Sequence, residues 1–292
     1  MTFIEVGLAD KTGKISPSLM RAAVRALHTQ VTRDLPKYWS IHAAVSWLPD
    51  AAEIPAGVWP VFLVDRLPAG EGGTHLDRHN QPYAKVIAKQ GNDDWTVDAS
   101  HELLEMLIDP YGNRLQTGPS LKVVKGKVAE GHSQFAYLVE ACDPCQGYAH
   151  AYPIHGIAVS DFITPHYYDP VRTPGTRYSF TGKVKHPREV LPGDTCHGLT
   201  TGTASGSSCC GWTRRKLRES ATTGQHRRRQ AFGAGWMRRC AGMRRKICAM
   251  LIRLQSTARS SGIARAAAAK PRQSRGFGGS FTSNKVQDCE AG

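Results

Sequence analysis

His101 and Glu105 stand four residues apart in the run Ser100-His101-Glu102-Leu103-Leu104-Glu105-Met106-Leu107-Ile108-Asp109-Pro110, with Glu102 directly after the histidine. Residues four apart on an α-helix share a face. The imidazole and the second carboxylate can therefore chelate one divalent ion, with Glu102 beside them as a general base. On a helix of 3.6 residues per turn, Asp98, His101, Glu102, Glu105 and Asp109 fall within one arc of about 100°. Leu103, Leu104, Met106, Leu107 and Ile108 occupy the rest of the circumference, which predicts a helix buried on most sides with its acidic arc lining a cleft. Pro110 ends it, because proline disfavours the α conformation in the residue before it. The alternative is an ordinary amphipathic helix whose wet face carries His and Glu.

Zinc sites usually take at least three protein ligands. The segment Leu138-Val139-Glu140-Ala141-Cys142-Asp143-Pro144-Cys145 ends an apolar run, so its acids emerge where the chain leaves the core, and Glu140 and Asp143 are the candidates for the third ligand. HELLEMLIDP followed by EACDPC resembles the HExxExxxDP helix and downstream ExxDxC segment of zincin-like, metallopeptidase-like bacterial and phage proteins. The resemblance runs over residues 1 to 192 in element order, with Val159-Ser160-Asp161-Phe162-Ile163-Thr164-Pro165 as a further similar stretch. It implies His101 and Glu105 as metal ligands, Glu102 as base, and a role for Glu140, Asp143 and Cys145.

Position 105 departs from the well-studied zincins, which have histidine there. A ligand set of His, Glu and a further acid carries two negative charges, so it acidifies bound water less than three histidines do. Its oxygen-rich character brings manganese or calcium into range beside zinc, the first expectation. Hydrolysis of a peptide or small amide substrate is the leading expectation, and a non-catalytic metal site on the same scaffold is the alternative.

Other residues carry weaker signals. Cys142-x-x-Cys145 alone is half a zinc site at most, with Cys145 read as a packing residue or an occasional ligand. His75 and His79 have ligand-like spacing but sit after the Gly-rich turn Gly70-Glu71-Gly72-Gly73, where a solvated loop pair is expected. Among His132, His150, His155 and His166, the last stands out as a catalytic candidate. It lies between Pro165 and Tyr167-Tyr168, where a turn can bring a phenol into the cleft as an oxyanion stabiliser.

The elements that must position these groups follow from periodicity. Residues 2–8 alternate as a strand; Ser16 or Ser18 can cap a helix running to about Asp34; strands follow at 40–47, 59–66 and 83–88 before the HELLE helix. This order predicts an α+β, zincin-like domain over residues 1–192, with a mixed sheet packed on the active-site helix.

Residues 1–190 carry 19 Lys/Arg against 20 Asp/Glu, and the remainder carries 19 against 4, so the formal charge of +14 belongs to the last third. Six of the 8 cysteines lie there as well. From residue 193 the chain reads as a basic, low-complexity, disordered tail, with one basic amphipathic stretch from Arg239 to Leu254. Such a tail can bind nucleic acid by counterion release. Its other reading is a segment translated out of its original frame: the codons for Asp194-Thr195-Cys196-His197-Gly198, shifted by one, permit Tyr-Leu-Ser-Trp. Met1-Thr2-Phe3-Ile4-Glu5-Val6 lacks the pattern of a signal peptide, and no apolar run reaches membrane-spanning length, so a cytoplasmic protein is expected, with no membrane partner.

Overall fold

The computed structural model describes residues 3–67, 71–88, 94–124, 127–192, 194–200 and 209–213. Strand β1 (Phe3–Asp10) leads to helix α1 (Pro17–Thr29), which continues through a π turn at Gln30–Asp34. Ser16 caps α1 by accepting a hydrogen bond from the Leu19 amide, and Pro17 stands at the first helical position, where its missing N–H costs nothing. Strands β2 (His42–Leu48), β3 (Val58–Val64), β4 (Gly73–Arg78) and β5 (Gln81–Ile87) follow, and then helix α2 (Trp95–Ile108).

The first sheet has the order β2-β1-β3-β5-β4. Strands β2, β1, β3 and β5 are parallel, while β4 runs antiparallel to β5 at the edge. The fold is thus α+β with a mixed sheet, and α2 packs on β4 and β5. Four strands, rather than the expected three, separate the helices. The additional one is β4, joined to β5 by a two-residue turn in which His79 and Asn80 both have positive φ.

A second, antiparallel sheet has the order β11-β10-β7-β6, from β6 (Leu115–Val124), β7 (Lys127–Leu138), β10 (Thr195–Thr200) and β11 (Cys209–Thr213). Strand β10 lies beyond the expected boundary at residue 192, yet it pairs with β7 through Gly198 opposite Tyr137 and Leu199 opposite Ala136. Apart from residues 194–200 and 209–213, the basic tail, including the stretch from Arg239 to Leu254, lies outside the described residues. A short hairpin, β8 (Tyr152–Ile154) and β9 (Ile157–Val159), completes the elements. Among the described residues, no helix is long and apolar enough to cross a membrane.

Helix α2 is buried almost all round: Trp95, Val97, Ala99, Leu103, Leu104, Met106, Leu107 and Ile108 all lie in the core. Its rotation about its axis is set by polar contacts on the face away from β4. The Ser100 hydroxyl donates to Gln30 Oε1 at 2.7 Å and accepts from the Ser160 amide at 3.0 Å. Gln30 Nε2 donates in turn to the Ser160 carbonyl at 2.9 Å, and Thr96 Oγ1 to the Ala158 carbonyl at 2.8 Å. Buried polar groups satisfied in this way fix one orientation, since any rotation would strand them.

Candidate metal centre

His101, Glu102 and Glu105 project from α2 toward β4 and the segment that follows β7. His101 Nε2 lies 3.0 Å from Glu105 Oε2, which is the pairing that the four-residue spacing implies. Glu105 is held from two sides. Its Oε1 accepts a hydrogen bond from the Cys142 amide at 3.1 Å, while Oε2 faces the histidines. The Leu138–Cys145 segment therefore reaches the helix, as the sequence suggests, and it brings both acids. Asp143 Oδ1 is 3.5 Å from His101 Nε2, and Glu140 is buried on the other side of Glu105.

Glu140 is placed through the end of α2. Asp109 accepts hydrogen bonds from the Asn113 and Arg114 amides at 3.0 and 2.9 Å, and the Arg114 carbonyl accepts from the Val139 amide at 2.9 Å. The helix end and the residue before Glu140 are thereby tied together. Asp109 anchors the loop and is not among the residues grouped around His101.

His75 is the residue that sequence reasoning placed elsewhere. It was expected in a solvated loop; it lies on β4 with its side chain only 3% exposed. Its Nδ1 is 3.4 Å from Glu102 Oε2 and 3.7 Å from Glu105 Oε2, and its Nε2 is 3.9 Å from Glu140 Oε2. Glu102 is thus the nearest of the three carboxylates to the ring and helps to hold a proton on it. The close approach of β4 to α2 depends on glycine, since a Cβ at Gly73 would stand 2.5 Å from Glu102 Cγ. That glycine pair ahead of a histidine was the available signal.

Two donor groups result, each with its ligand atoms within 4.8 Å of one another: His101, Glu105 and Cys142, and His75, Glu105 and Glu140. The residues present therefore fit a divalent ion, with imidazole, carboxylate and thiol donors converging in a buried place. Cys142, half of the weak Cys-x-x-Cys signal, belongs to a donor group, while Cys145 is fully buried in the core.

The electrostatics match a site built for positive charge. Burial disfavours protonation of His75, but Glu140, Glu102 and Glu105 outweigh it and raise its pKa to about 9. His101 follows the same pattern, with Glu105 as the main opposing influence. Burial, reinforced by Glu105, pushes the Cys142 thiol up, so ligation there would release a proton. At the rim, Asp98 is raised chiefly by burial and accepts from the exposed Tyr148 hydroxyl, 3.1 Å from each oxygen.

Of the other histidines singled out from the sequence, those with described side chains lie apart from the cluster. His166 is exposed and pairs with Asp169 at 2.9 Å, so the catalytic place expected for it goes instead to a surface turn. The same turn does bury Tyr168, close enough to Glu140 and Glu105 for both to reinforce the effect of burial in raising its pKa. His150 faces Asp194 at 3.7 Å, His155 faces Thr29 at 3.2 Å, and His79 is exposed in the β4–β5 turn. The side chain of His132 lies outside the described residues. His197, on β10, was not singled out from the sequence; its Nε2 lies 2.9 Å from Asp143 Oδ2. Comparisons with protein-family models, with curated proteins and with solved structures each return no match.

Proposed function

We propose that the chain is a zincin-like, metal-dependent hydrolase of peptide or amide bonds, with one divalent ion held by His101 and Glu105 and completed from the segment after β7. The observation that carries this reading is the 3.0 Å approach of His101 Nε2 to Glu105 Oε2 beside a buried Glu102. Asp143 and the Cys142 thiol are the donors nearest this pair, and the sulfur favours zinc over manganese or calcium. Glu140 belongs to the His75 side of Glu105.

When bound, a divalent ion there would polarise a carbonyl and acidify water. Glu102 accepts the proton of the attacking water and delivers it to the leaving nitrogen. Tyr148 and Asp98 border the acidic face at the rim.

The second reading is a binding-only metal site. It is favoured by the number of buried donors, since structural sites are closed whereas catalytic ones keep an open position. Elemental analysis of the full chain and of His101→Ala tests the metal, because the variant should lose zinc that the wild type retains. If both carry equal zinc, the site is not at His101. Glu102→Gln then separates the two readings. A hydrolase keeps its metal and loses about 10²- to 10⁴-fold in turnover of a peptide library; a binding protein shows no turnover in either form. A nucleic-acid role would rest on residues outside the described ones, and salt-dependent DNA binding by the full chain would bring it back.

A further inference from the structure

We infer that the cluster takes a second divalent ion, held by His75 and Glu140, with the Glu105 carboxylate shared between the two ions. The inference rests on the proposed metal site at His101 and extends it across Glu105.

Geometry is the first support. Glu105 Oε2 is 3.0 Å from His101 Nε2 and 3.7 Å from His75 Nδ1, so one carboxylate faces both imidazoles. The two donor groups meet at Glu105 and at no other residue. His101 has Cys142 and Asp143 on its side, and His75 has Glu140 and Glu102 on the other. Each half therefore offers an imidazole and acidic or thiol donors of its own, the arrangement found where two ions sit side by side with a common carboxylate.

His75 supplies the second, independent support. It is a nearly fully buried imidazole enclosed by three carboxylates, its Nδ1 3.4 Å from Glu102 Oε2 and 3.7 Å from Glu105 Oε2 and its Nε2 3.9 Å from Glu140 Oε2, distances that leave room for an ion between ring and acids. Burying a polar nitrogen in this way is costly unless something binds it.

Charge balance is the third. Glu102, Glu105, Glu140 and Asp143 converge on the two histidines. With a Cys142 thiolate as a further donor the cluster offers five negative charges, of which one divalent ion offsets two and two ions offset four. Low-dielectric surroundings make that difference count, because uncompensated buried charge is expensive.

Cobalt(II) is the probe, because it accepts nitrogen, oxygen and sulfur donors and its thiolate charge-transfer absorption reports the ion beside Cys142. In equilibrium dialysis of the full chain, His75→Ala should bind one cobalt fewer than wild type while keeping the charge-transfer band that Cys142→Ser removes. Glu140→Gln should reproduce that loss should the histidine variant not fold. In wild type, the two ions should be magnetically coupled through the shared carboxylate. Equal cobalt in wild type and His75→Ala overturns the inference and leaves the His101 site standing. Loss of the charge-transfer band together with the ion in His75→Ala also overturns it, because His75 would then serve one common site. Uncoupled ions in wild type do the same. A wild type whose cobalt content His101→Ala leaves unchanged would instead remove the underlying metal reading.

Discussion

Replacing Gly73 with alanine tests whether β4 presses on the acidic face of α2. A Cβ at this position would meet Glu102 Cγ at 2.5 Å, Oε1 at 2.7 Å and Cδ at 2.9 Å, against about 3.4 Å for ordinary contact, an overlap of roughly 0.9 Å. The strand cannot withdraw, because Gly73 pairs with Val86 in the β4–β5 ladder and the Gly72 carbonyl accepts from the Ile87 amide at 2.8 Å. Glu102 must therefore move, and its path is bounded by His75 at 3.4 Å. Overpacking of this kind costs about 1 to 3 kcal/mol. Urea unfolding of the metal-free protein should show that loss as a lower midpoint at unchanged slope. If the chain is a hydrolase, a displacement near 1 Å of the base should lower turnover about 10²-fold while zinc is retained. Gly72→Ala is the control, since its Cβ would meet only the Asp98 carboxylate, at 2.8 Å from Oδ2. A Gly73→Ala protein with wild-type stability would refute the close approach, and with it the placement of His75 against Glu102.

Ser100→Ala removes the hydroxyl joining Gln30 and the Ser160 amide, leaving both without that buried partner. It should cost about 1 to 3 kcal/mol by denaturant unfolding, and a neutral result would mean that α2 is oriented by packing alone. Asp109→Ala strips the Asn113 and Arg114 amides of their acceptor and should lower stability by about 1 to 3 kcal/mol. Because Arg114 in turn holds the Val139 backbone, cobalt affinity should fall as well, and unchanged affinity would uncouple the loop from Glu140. In the metal-free protein the raised His75 pKa, about 9, is a stability statement. A group raised on folding stabilises fully below its unfolded value near 6.5 and loses that contribution as pH rises through the folded value. Unfolding in the presence of a chelator should therefore show stability falling by on the order of 3 kcal/mol between about pH 6.5 and pH 9. A flat profile over that window would contradict the contacts around His75.

The helix and its downstream segment were legible because both depend on local rules. Four-residue spacing forces His101 and Glu105 together, and an apolar run ending in Glu140 delivers that acid at the edge of the core. His75 was not legible for a reason that is equally physical. The turn at His79 and Asn80 takes positive φ at both central positions without glycine, so the usual hairpin signal was missing. Strand β4 buries adjacent residues, Thr74 and His75, and so lacks clean alternation. His166 looked catalytic from its aromatic neighbours, yet the turn exposes its side chain while burying the next two, Tyr167 and Tyr168. Strand β10 was read as tail because Thr195-Cys196-His197-Gly198-Leu199-Thr200 has little hydrophobic period; pairing with β7 supplies what periodicity did not.

Glutamate at position 105 changes what the helix can do beyond lowering Lewis acidity. An imidazole that ligates through one nitrogen has only the other left, and a second-shell acceptor normally takes it. A carboxylate has two oxygens with several lone pairs. In this chain Oε1 is fixed by the Cys142 amide, and Oε2 remains open toward both His101 and His75. The amide bond orients the carboxylate, so its second oxygen is preorganised between the imidazoles. A histidine at 105 would serve the His101 side alone and would leave His75 facing Glu102 and Glu140 with no bridge to the first ion. If two ions bind as inferred, the departure from the HExxH pattern and the burial of His75 have one explanation, a shared acid between two cation positions.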